Sequence, residues 1–567
     1  MPGFLLTDID GTKPVGSSKL QVPVLIVGGG PTGLLSAYML SKLGIQSMLV
    51  EKYPERLEAP KAHALSPRSL EICRQFGLDT NAMRKLGTPR SDAQWVNFVT
   101  NLSGERIGIL PYERMDKEVL QHTPENEDVV TATLEERSTK TRWSINSKHL
   151  LACDGAKSQV RQDLNIECEG EEGYETMMTI HIKSDLRPVV GDRVGMLHWI
   201  LDPACSGFII AYDLAGSQVL ISNFDSKKQP VNTWSQELAR SCVSAAIGHD
   251  IDFEVLSYRP WLLSRKIAKQ YQNGNVFLVG DAAHSFPPTG GLGLNSGLAD
   301  AHNLAYKIAA VHHGWADRLI LESYEAERRP IALINSAQSI KNGEKIFSFL
   351  KALGTAGIDD VVEARANLQS CIHDPAQKAV IAREVEGQRE HFDNLEIHIG
   401  YVYGSKVPPS NASDFTSKFQ NGARLPHAWI RPRSDRRGQS LPAIDVSYVE
   451  EFTQNEVQSR QYSILDLCAF DSLTLIVPRR LVWLNRYKGL KQVFLAKSNV
   501  KLALWSVDED FEFMDRDQQS LFEDKGGFSA GNALLIRPDQ HIAGCLNSDV
   551  TLEDLKCMVS RTYPGSS

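Results

Sequence analysis

Apolar and polar positions alternate along this chain in three distinct rhythms. Residues 21–27 (QVPVLIV), Ser47–Val50 (SMLV) and 276–279 (VFLV) are short unbroken apolar runs. Their length and β-branched content predict strands buried on both faces. The run LLSAYMLSKLG after the first of them, and the stretch from Leu294 onward, carry apolar residues at helical spacing. Between about 175 and 270 the rhythm shortens. TMMTIHI, GMLHWIL, SGFIIAYDL and SQVLISNF are β-rich runs separated by Gly, Pro and Asp, which predicts an antiparallel sheet. Residues 319–400, opening with ESYEAERRPIA, are mostly helical by period. Residues 404–421 turn to Ser, Pro, Asn and Lys and read as a linker. Beyond it SILDL, SLTLIVP, KLALWSV and NALLIRPDQHIAG predict a separate small α/β unit. Residues 1–20 are polar and read as a loose arm.

At 567 residues the chain is long enough for two or three domains, each with its own core. Its 42% hydrophobic and 23% charged residues are ordinary soluble composition. A net charge of −8 and a pI near 6.0 argue against nucleic-acid or anionic-membrane partners. No apolar run has the length of a membrane span. The start, MPGFLLTDIDGTK, has acids and no basic segment, which argues against a secretory signal. Nine scattered cysteines without a CxxC pair read as reduced thiols, with no metal site and no disulfide framework. The chain therefore reads as cytoplasmic, and the sequons at Asn101 and Asn411 as carrying no glycan.

Chemistry concentrates at three places. The first strand runs into Gly28-Gly29-Gly30-Pro31-Thr32-Gly33 and then the helix, a GxGxxG with the right context on both sides. Gly28 permits the tight turn, Gly30 lets backbone approach a pyrophosphate, and Gly33 lets helix pack on strand. The second strand ends in Glu51, eighteen residues after Gly33, near the offset of a ribose-binding acid. A carboxylate there would repel a 2′-phosphate, so the adenosine half bound at this point is that of NAD or FAD, not NADP. In APKAHALSPR, before a helix at 69–76, Lys61 and Arg68 could pair with phosphates or acids, and His63 could face a ligand. In KHLLACDGAKSQVRQDL an apolar run ends in Asp154 and Gly155, with Arg161 following. In GDAAHSFPPTGGLGLN, Asp281 ends the third strand. Two prolines stiffen the loop, and four glycines (290, 291, 293 and 297) let backbone approach a ligand. A helix N-terminus that favours negative charge follows.

GGGPTG with Glu51, CDGAKSQVR and GDAAHSFPPTGGLGLN, in that order, resemble class A FAD-dependent aromatic monooxygenases of the phenol hydroxylase and chlorophenol monooxygenase branch. That branch has the para-hydroxybenzoate hydroxylase fold. GARLPHAWI and LLIRPDQHIAG look like the branch's thioredoxin-like domain. The resemblance implies an α/β and α+β architecture. An FAD-binding domain would span 21–170 and 272–400, a substrate-binding sheet domain 171–271, and a thioredoxin-like domain 422–567 after the linker. It implies tightly bound FAD, NADPH or NADH as co-substrate, O2, a small aromatic substrate and a homodimer. A flavin C4a-hydroperoxide would hydroxylate a phenolic or polyketide-like ring.

By the same resemblance Gly28, Gly30, Gly33 and Glu51 would hold the adenosine diphosphate half and Asp281 the ribityl chain, with Lys61 a further cofactor-binding residue. Asp154 and Arg161 match the DG motif, implicated in FAD and NAD(P)H binding. The backbone of Gly293, Leu294 and Asn295 lies by the flavin N1/C2=O edge. Pro288 offers its carbonyl to the reacting hydroxyl, and His63 stands where relatives carry a substrate-side residue, which nominates it as base. His284 reads as structural, and Trp199, Phe208, Tyr212 and Trp261 as pocket lining or core.

The sequence departs from that pattern at two points. Lys61 stands where many relatives carry arginine, keeping charge without the planar fork. Around Glu125 and Asn126 a helix and a strand usual in relatives are missing, which implies weakened FAD binding. Alternatives therefore stay open: a catalytically impaired flavin-binding remnant, or an epoxidase or Baeyer–Villiger-type enzyme on the same fold. An NAD-dependent dehydrogenase would explain GxGxxG and Glu51 but not the stretch at 280–295.

Overall fold

The apolar runs of the chain pair into four sheets among the described residues, two of them large and two small. The structure, a computed structural model, describes residues 20–53, 62, 64–112, 130–135, 142–433, 442–497, 501–507 and 509–562. In chain order the strands up to residue 285 are β1 (Leu20–Val27), β2 (Ser47–Val50), β3 (Trp95–Val99), β4 (Arg106–Pro111), β5 (Val130–Glu135), β6 (Arg142–Ala152) and β7 (Cys168–Lys183). They continue as β8 (Leu197–Ile200), β9 (Gly207–Ala211), β10 (Gln218–Asn223), β11 (Glu254–Ala268), β12 (Gln272–Asn273), β13 (Val276–Leu278) and β14 (His284–Ser285).

The first sheet runs β12-β13-β6-β1-β2, with β5 pairing antiparallel to β6. β13, β6, β1 and β2 are mutually parallel, as their apolar runs predict. Helix α1 (Pro31–Lys42) and the central helix Leu292–His312 pack on this sheet, with Val24, Leu25, Ile26, Leu151, Phe277, Leu304 and Ile308 in one core. The second sheet runs β14-β11-β7-β10-β9-β8-β3-β4 and is antiparallel except where β3 meets β8. It contains the runs read at 175–270 and also draws β3 and β4 from before residue 112, a non-local pairing that periodicity does not reveal. Its two faces carry separate cores. One is aromatic, with Phe98, Trp199, Phe349 and Phe392; the other is aliphatic and covered by the helix Gln236–Ile247.

Residues 404–421 have no helix or strand, in keeping with their composition, but they are pinned to the body. Ala412 N donates to Glu390 Oε2 at 2.9 Å, Ser413 Oγ to the Asp393 carbonyl at 2.5 Å, and Lys418 pairs with Glu396. The remaining strands are β15 (Trp429–Pro432), β16 (Tyr462–Ser463), β17 (Ser472–Val477), β18 (Lys501–Ser506), β19 (Phe511–Phe513), β20 (Ala533–Ile536) and β21 (Ile542–Leu546). They form a sheet β16-β15-β19 and a sheet β18-β17-β20-β21, whose β17–β18 pair is parallel and β20–β21 pair antiparallel. Among the described residues no helix is long and apolar enough to cross a membrane.

Candidate active site

Three glycine-bearing segments far apart in sequence converge at the end of β1. Gly28 has φ +111°, and a side chain there would lie 2.3 Å from the Cys153 carbonyl oxygen, so only glycine lets β1 turn beside β6. Gly33 faces Gly28 so closely that a Cβ would stand 2.0 Å from the Gly28 oxygen, the close packing of helix on strand that the motif requires. Thr32 of the same turn meets the third segment at two points. A Cβ on Gly280 would lie 2.9 Å from Thr32 Oγ1, one on Gly297 2.7 Å from it, and the latter only 3.1 Å from Gly280 Cα. Around this closed junction the space is open: a Cβ at Gly30, Gly291 or Gly293 would meet nothing within 4 Å.

Glu51 sits against the glycine turn. Its Oε2 accepts from Gly29 N at 2.6 Å and its Oε1 from Tyr53 N at 3.0 Å. Each oxygen keeps further lone pairs toward the exposed side. Asp154 Oδ2 accepts from Gln159 N at 2.8 Å and Val160 N at 3.2 Å, while its buried Oδ1 has no partner among the described residues. Arg161 is buried and spent on backbone: Nη1 donates to the Ala282 carbonyl at 2.7 Å and Nη2 to the Ala156 carbonyl at 3.1 Å. It thus ties the segment of Asp154 to the turn of Asp281 and is not directed at open space. Asp281 is exposed on the short 3₁₀ turn Gly280–Ala282.

The turn behind Asp281 is held by a buried ionic cluster. Asp300 Oδ2 accepts from Gly280 N at 3.2 Å and pairs with His284 Nε2 at 2.7 Å, while Oδ1 accepts from Arg328 Nε at 2.7 Å. Burial alone would push the Asp300 carboxyl up, but Arg328 and His284 outweigh it and hold it below the usual carboxylate range. His284 is therefore a structural partner, as read from the sequence. Asp300 and Arg328 were invisible there, because a buried pair has the composition of a solvated one.

Gly291, at φ +64°, caps the central helix without any side-chain hydrogen bond, so the first N–H groups of Leu292–His312 are left for an anion. Pro288 offers its carbonyl to Gly291 N at 3.0 Å within the preceding turn. Asn295 points its side chain elsewhere. Its Oδ1 accepts from Ser66 N at 2.8 Å and Ser69 Oγ at 2.7 Å, and its Nδ2 donates to the Gly291 carbonyl at 2.8 Å. Asn295 thereby fastens the entry of helix α2 (Pro67–Gln75) to the first turn of the central helix. Lys61 and His63 lie outside the described residues. Their neighbour Ala62 accepts from Tyr212 Oη at 3.2 Å, and Ala64 packs on the aromatic core. In that core Trp199 stacks near Phe208 with ring centroids 5.2 Å apart, and Trp261 and Tyr212 pack against the same cluster. Burial pushes the Tyr212 hydroxyl well up. An apolar aromatic wall thus lies against Ala62 and Ala64.

The geometry fits a flavin dinucleotide. An open glycine turn beside a carboxylate suits the pyrophosphate and ribose, and the uncapped helix end suits an electron-rich ring edge. The buried Asp154 Oδ1 is an acceptor left without a donor among the described residues.

Comparison with known proteins agrees with this reading. The model of the FAD binding domain family matches residues 21–99 and 105–337. A 4-methyl-5-nitrocatechol 5-monooxygenase of a Burkholderia species is 27% identical over 94% of this chain and 95% of its own. A 2,4-dichlorophenol 6-monooxygenase of Cupriavidus pinatubonensis is 26% identical over 76% and 82%. A tetracenomycin A2 monooxygenase-dioxygenase of Streptomyces glaucescens is 29% identical over 76% and 81%. The fold matches that of the flavin-dependent monooxygenase PieE, solved with FAD and substrate, at a TM-score of 0.81, 22% identity, and coverage of 96% of this chain and 99% of that one. Because the family match spans more than half of the chain and includes all three converging segments, the chain belongs to the FAD-binding domain family.

Proposed function

We propose that this chain is an FAD-dependent aromatic monooxygenase that consumes NAD(P)H and O2 and hydroxylates a phenolic or aromatic polyketide-like ring. The observation that carries this reading is the convergence of Thr32, Gly280 and Gly297 into one closed junction, beside the open backbone at Gly30 and Gly293. Relatives named for nitrocatechol, chlorophenol and tetracenomycin substrates support the substrate class.

Bound FAD would supply electron transfer from NAD(P)H and the activation of O2. The chain's own residues bind and orient. Gly28, Gly30, Gly33 and Glu51 would hold the adenosine diphosphate half and Asp281 the ribityl hydroxyls, with Lys61 a further cofactor-binding residue. The helix end at Gly293, Leu294 and Asn295 would stabilise negative charge on the ring. Asp154 and Arg161 hold the two carboxylate turns in register. Pro288 would accept a hydrogen bond from the substrate hydroxyl, His63 would draw its proton, and the wall of Trp199, Phe208, Tyr212 and Trp261 would exclude water. The domain limits of the sequence reading carry over as part of the proposal, with the linker stretch anchored as described. The parallel β17–β18 pair followed by the β20–β21 hairpin supports the thioredoxin-like reading of the C-terminal unit. A cytoplasmic homodimer completes the proposal; the solution mass, one or two chains of 63.0 kDa, tests the latter part.

The decisive assay is reconstitution with FAD, followed by NADPH oxidation and O2 uptake with nitrocatechols, chlorophenols and naphthacenes. Oxidised-flavin bands together with a hydroxylated product bear the proposal out. NADPH oxidation that yields only hydrogen peroxide with every ring would sink it, and epoxide or lactone products would redirect it to the other reactions of this fold. A second reading, flavin binding without turnover, rests on the helix and strand that the sequence lacks around Glu125 and Asn126. The stretch around Glu125 and Asn126 itself lies outside the described residues.

A further inference from the structure

Arg68, which the sequence leaves undecided between phosphate and acid partners, is buried and turned away from the open site toward the C-terminal unit. Its Nη1 donates to Glu71 Oε2 at 2.8 Å and to Gln540 Oε1 at 2.7 Å, and its Nη2 to the Asp539 carbonyl at 2.8 Å. The residues it reaches form the tight turn between β20 and β21, closed by Arg537 N donating to the His541 carbonyl at 2.8 Å. A second strut runs parallel to the first, from Gln75 Nε2 at the far end of α2 to the Pro538 carbonyl at 3.0 Å. Gln540 itself is fully buried and adopts φ +61°, a left-handed conformation that side chains other than Asn, Asp and Gly adopt at a cost. A glycine would make the same turn more easily. Glutamine there is explained by its amide, the side-chain acceptor that the turn adds to the Asp539 carbonyl in holding Arg68.

We propose that this C-terminal turn, through Gln540 and Arg68, is a positioning device for the flavin site. The path is short and continuous: Gln540 fixes Arg68 in the first turn of α2, the same turn presents Ser66 and Ser69, and both donate to Asn295 in the first turn of the central helix. The inference rests on the FAD reading above. Gln540 and Arg68 are positioning residues; neither borders the open space at Gly30 or Gly293.

The test uses the full chain, stripped of flavin and titrated with FAD. Gln540→Gly removes the amide and at the same time relieves the left-handed backbone, so the loss of a buried contact is partly offset and FAD binding is read on apoprotein whose cooperative melt shows it folded. The dissociation constant for FAD should rise about tenfold, with a changed visible band shape of the bound flavin. Gln540→Glu keeps the length and the acceptor oxygen and should recover most of the affinity. A merely structural turn predicts the reverse pattern, a shifted apoprotein melt with FAD affinity and spectrum unchanged, and that result overturns the proposal. It also falls if Gln540→Glu binds FAD as weakly as Gln540→Gly. A parent chain that takes up no FAD overturns the FAD reading and this inference together. A parent that binds FAD and a Gln540→Gly variant that binds it equally well overturn this inference alone.

Discussion

At the end of β1 the chain brings backbones together by leaving side chains out, whereas between α2 and the C-terminal turn it brings domains together by burying its longest charged ones. In the first region Gly28, Gly33, Gly280 and Gly297 allow approaches that a single methyl group would forbid. In the second, Glu71 accepts from Arg68 and from Arg424, whose Nε lies 2.7 Å from Oε2, with all three side chains almost fully enclosed. Arg537 and Lys307 converge in the same way on Glu327, at 2.6 Å and 2.7 Å. A glycine contact is set by sterics and tolerates nothing. A buried ion pair is set by a balance between desolvation and attraction, so it tolerates paired changes but not the loss of one member.

That contrast can be broken at several points, in falling order of effect. Gly33→Val places carbon where the Gly28 oxygen already stands, so purified protein should carry less than about a tenth of the parent's flavin. Normal flavin absorbance in that variant would show that the glycine junction is not a steric requirement. Glu71→Ala strands two buried guanidinium groups and should cost about 3–5 kcal/mol in urea unfolding. If the loss stays under about 1 kcal/mol, the junction is not held by charge.

Glu390 offers a pH test at the anchored 404–421 stretch. Burial pushes its carboxyl up, but Lys341, Lys345 and the Ala412 N–H prevail and bring it down to about 2. Its folded value lies below the usual 4.5, so its stabilisation is present above that value and fades as pH falls toward 2. Glu390→Gln should therefore be less stable at neutral pH and show a shallower loss between pH 4.5 and 2; an unchanged acid limb would contradict the assignment. The smallest effect belongs to Arg90, whose exposed pair with Glu451 also bridges to the C-terminal unit at 2.9 Å. Arg90→Ala should leave the unfolding midpoint where it is, because water competes for both partners.

The same contrast explains what could be read from the sequence. A left-handed turn or a backbone contact admits essentially one residue type, so Gly28, Gly33 and the loop before Leu292 announce themselves. Apolar runs likewise announced the parallel strands and the aromatic wall. The roles of Arg161 and Asn295 were not legible, since each side chain is absorbed by carbonyls or hydroxyls supplied from distant segments. The linker composition at 404–421 concealed its anchoring for the same reason: its partners, Glu390, Asp393 and Glu396, lie on other elements. The addition of β3 and β4 to the second sheet depends on pairing across about a hundred residues, where local pattern carries no information.

The Arg68–Gln540 contact also sets a clock on biosynthesis, because its two ends are separated by 472 residues. At roughly 5–20 residues per second a ribosome needs on the order of 25–95 s to make that span. For most of this interval α2 exists with Arg68 and Glu71 but without Arg424, and for all of it without Gln540, to complete their contacts. The amino-terminal half is thus synthesised first and finished last, and a nascent chain of this protein depends on its final segment before its flavin site can close.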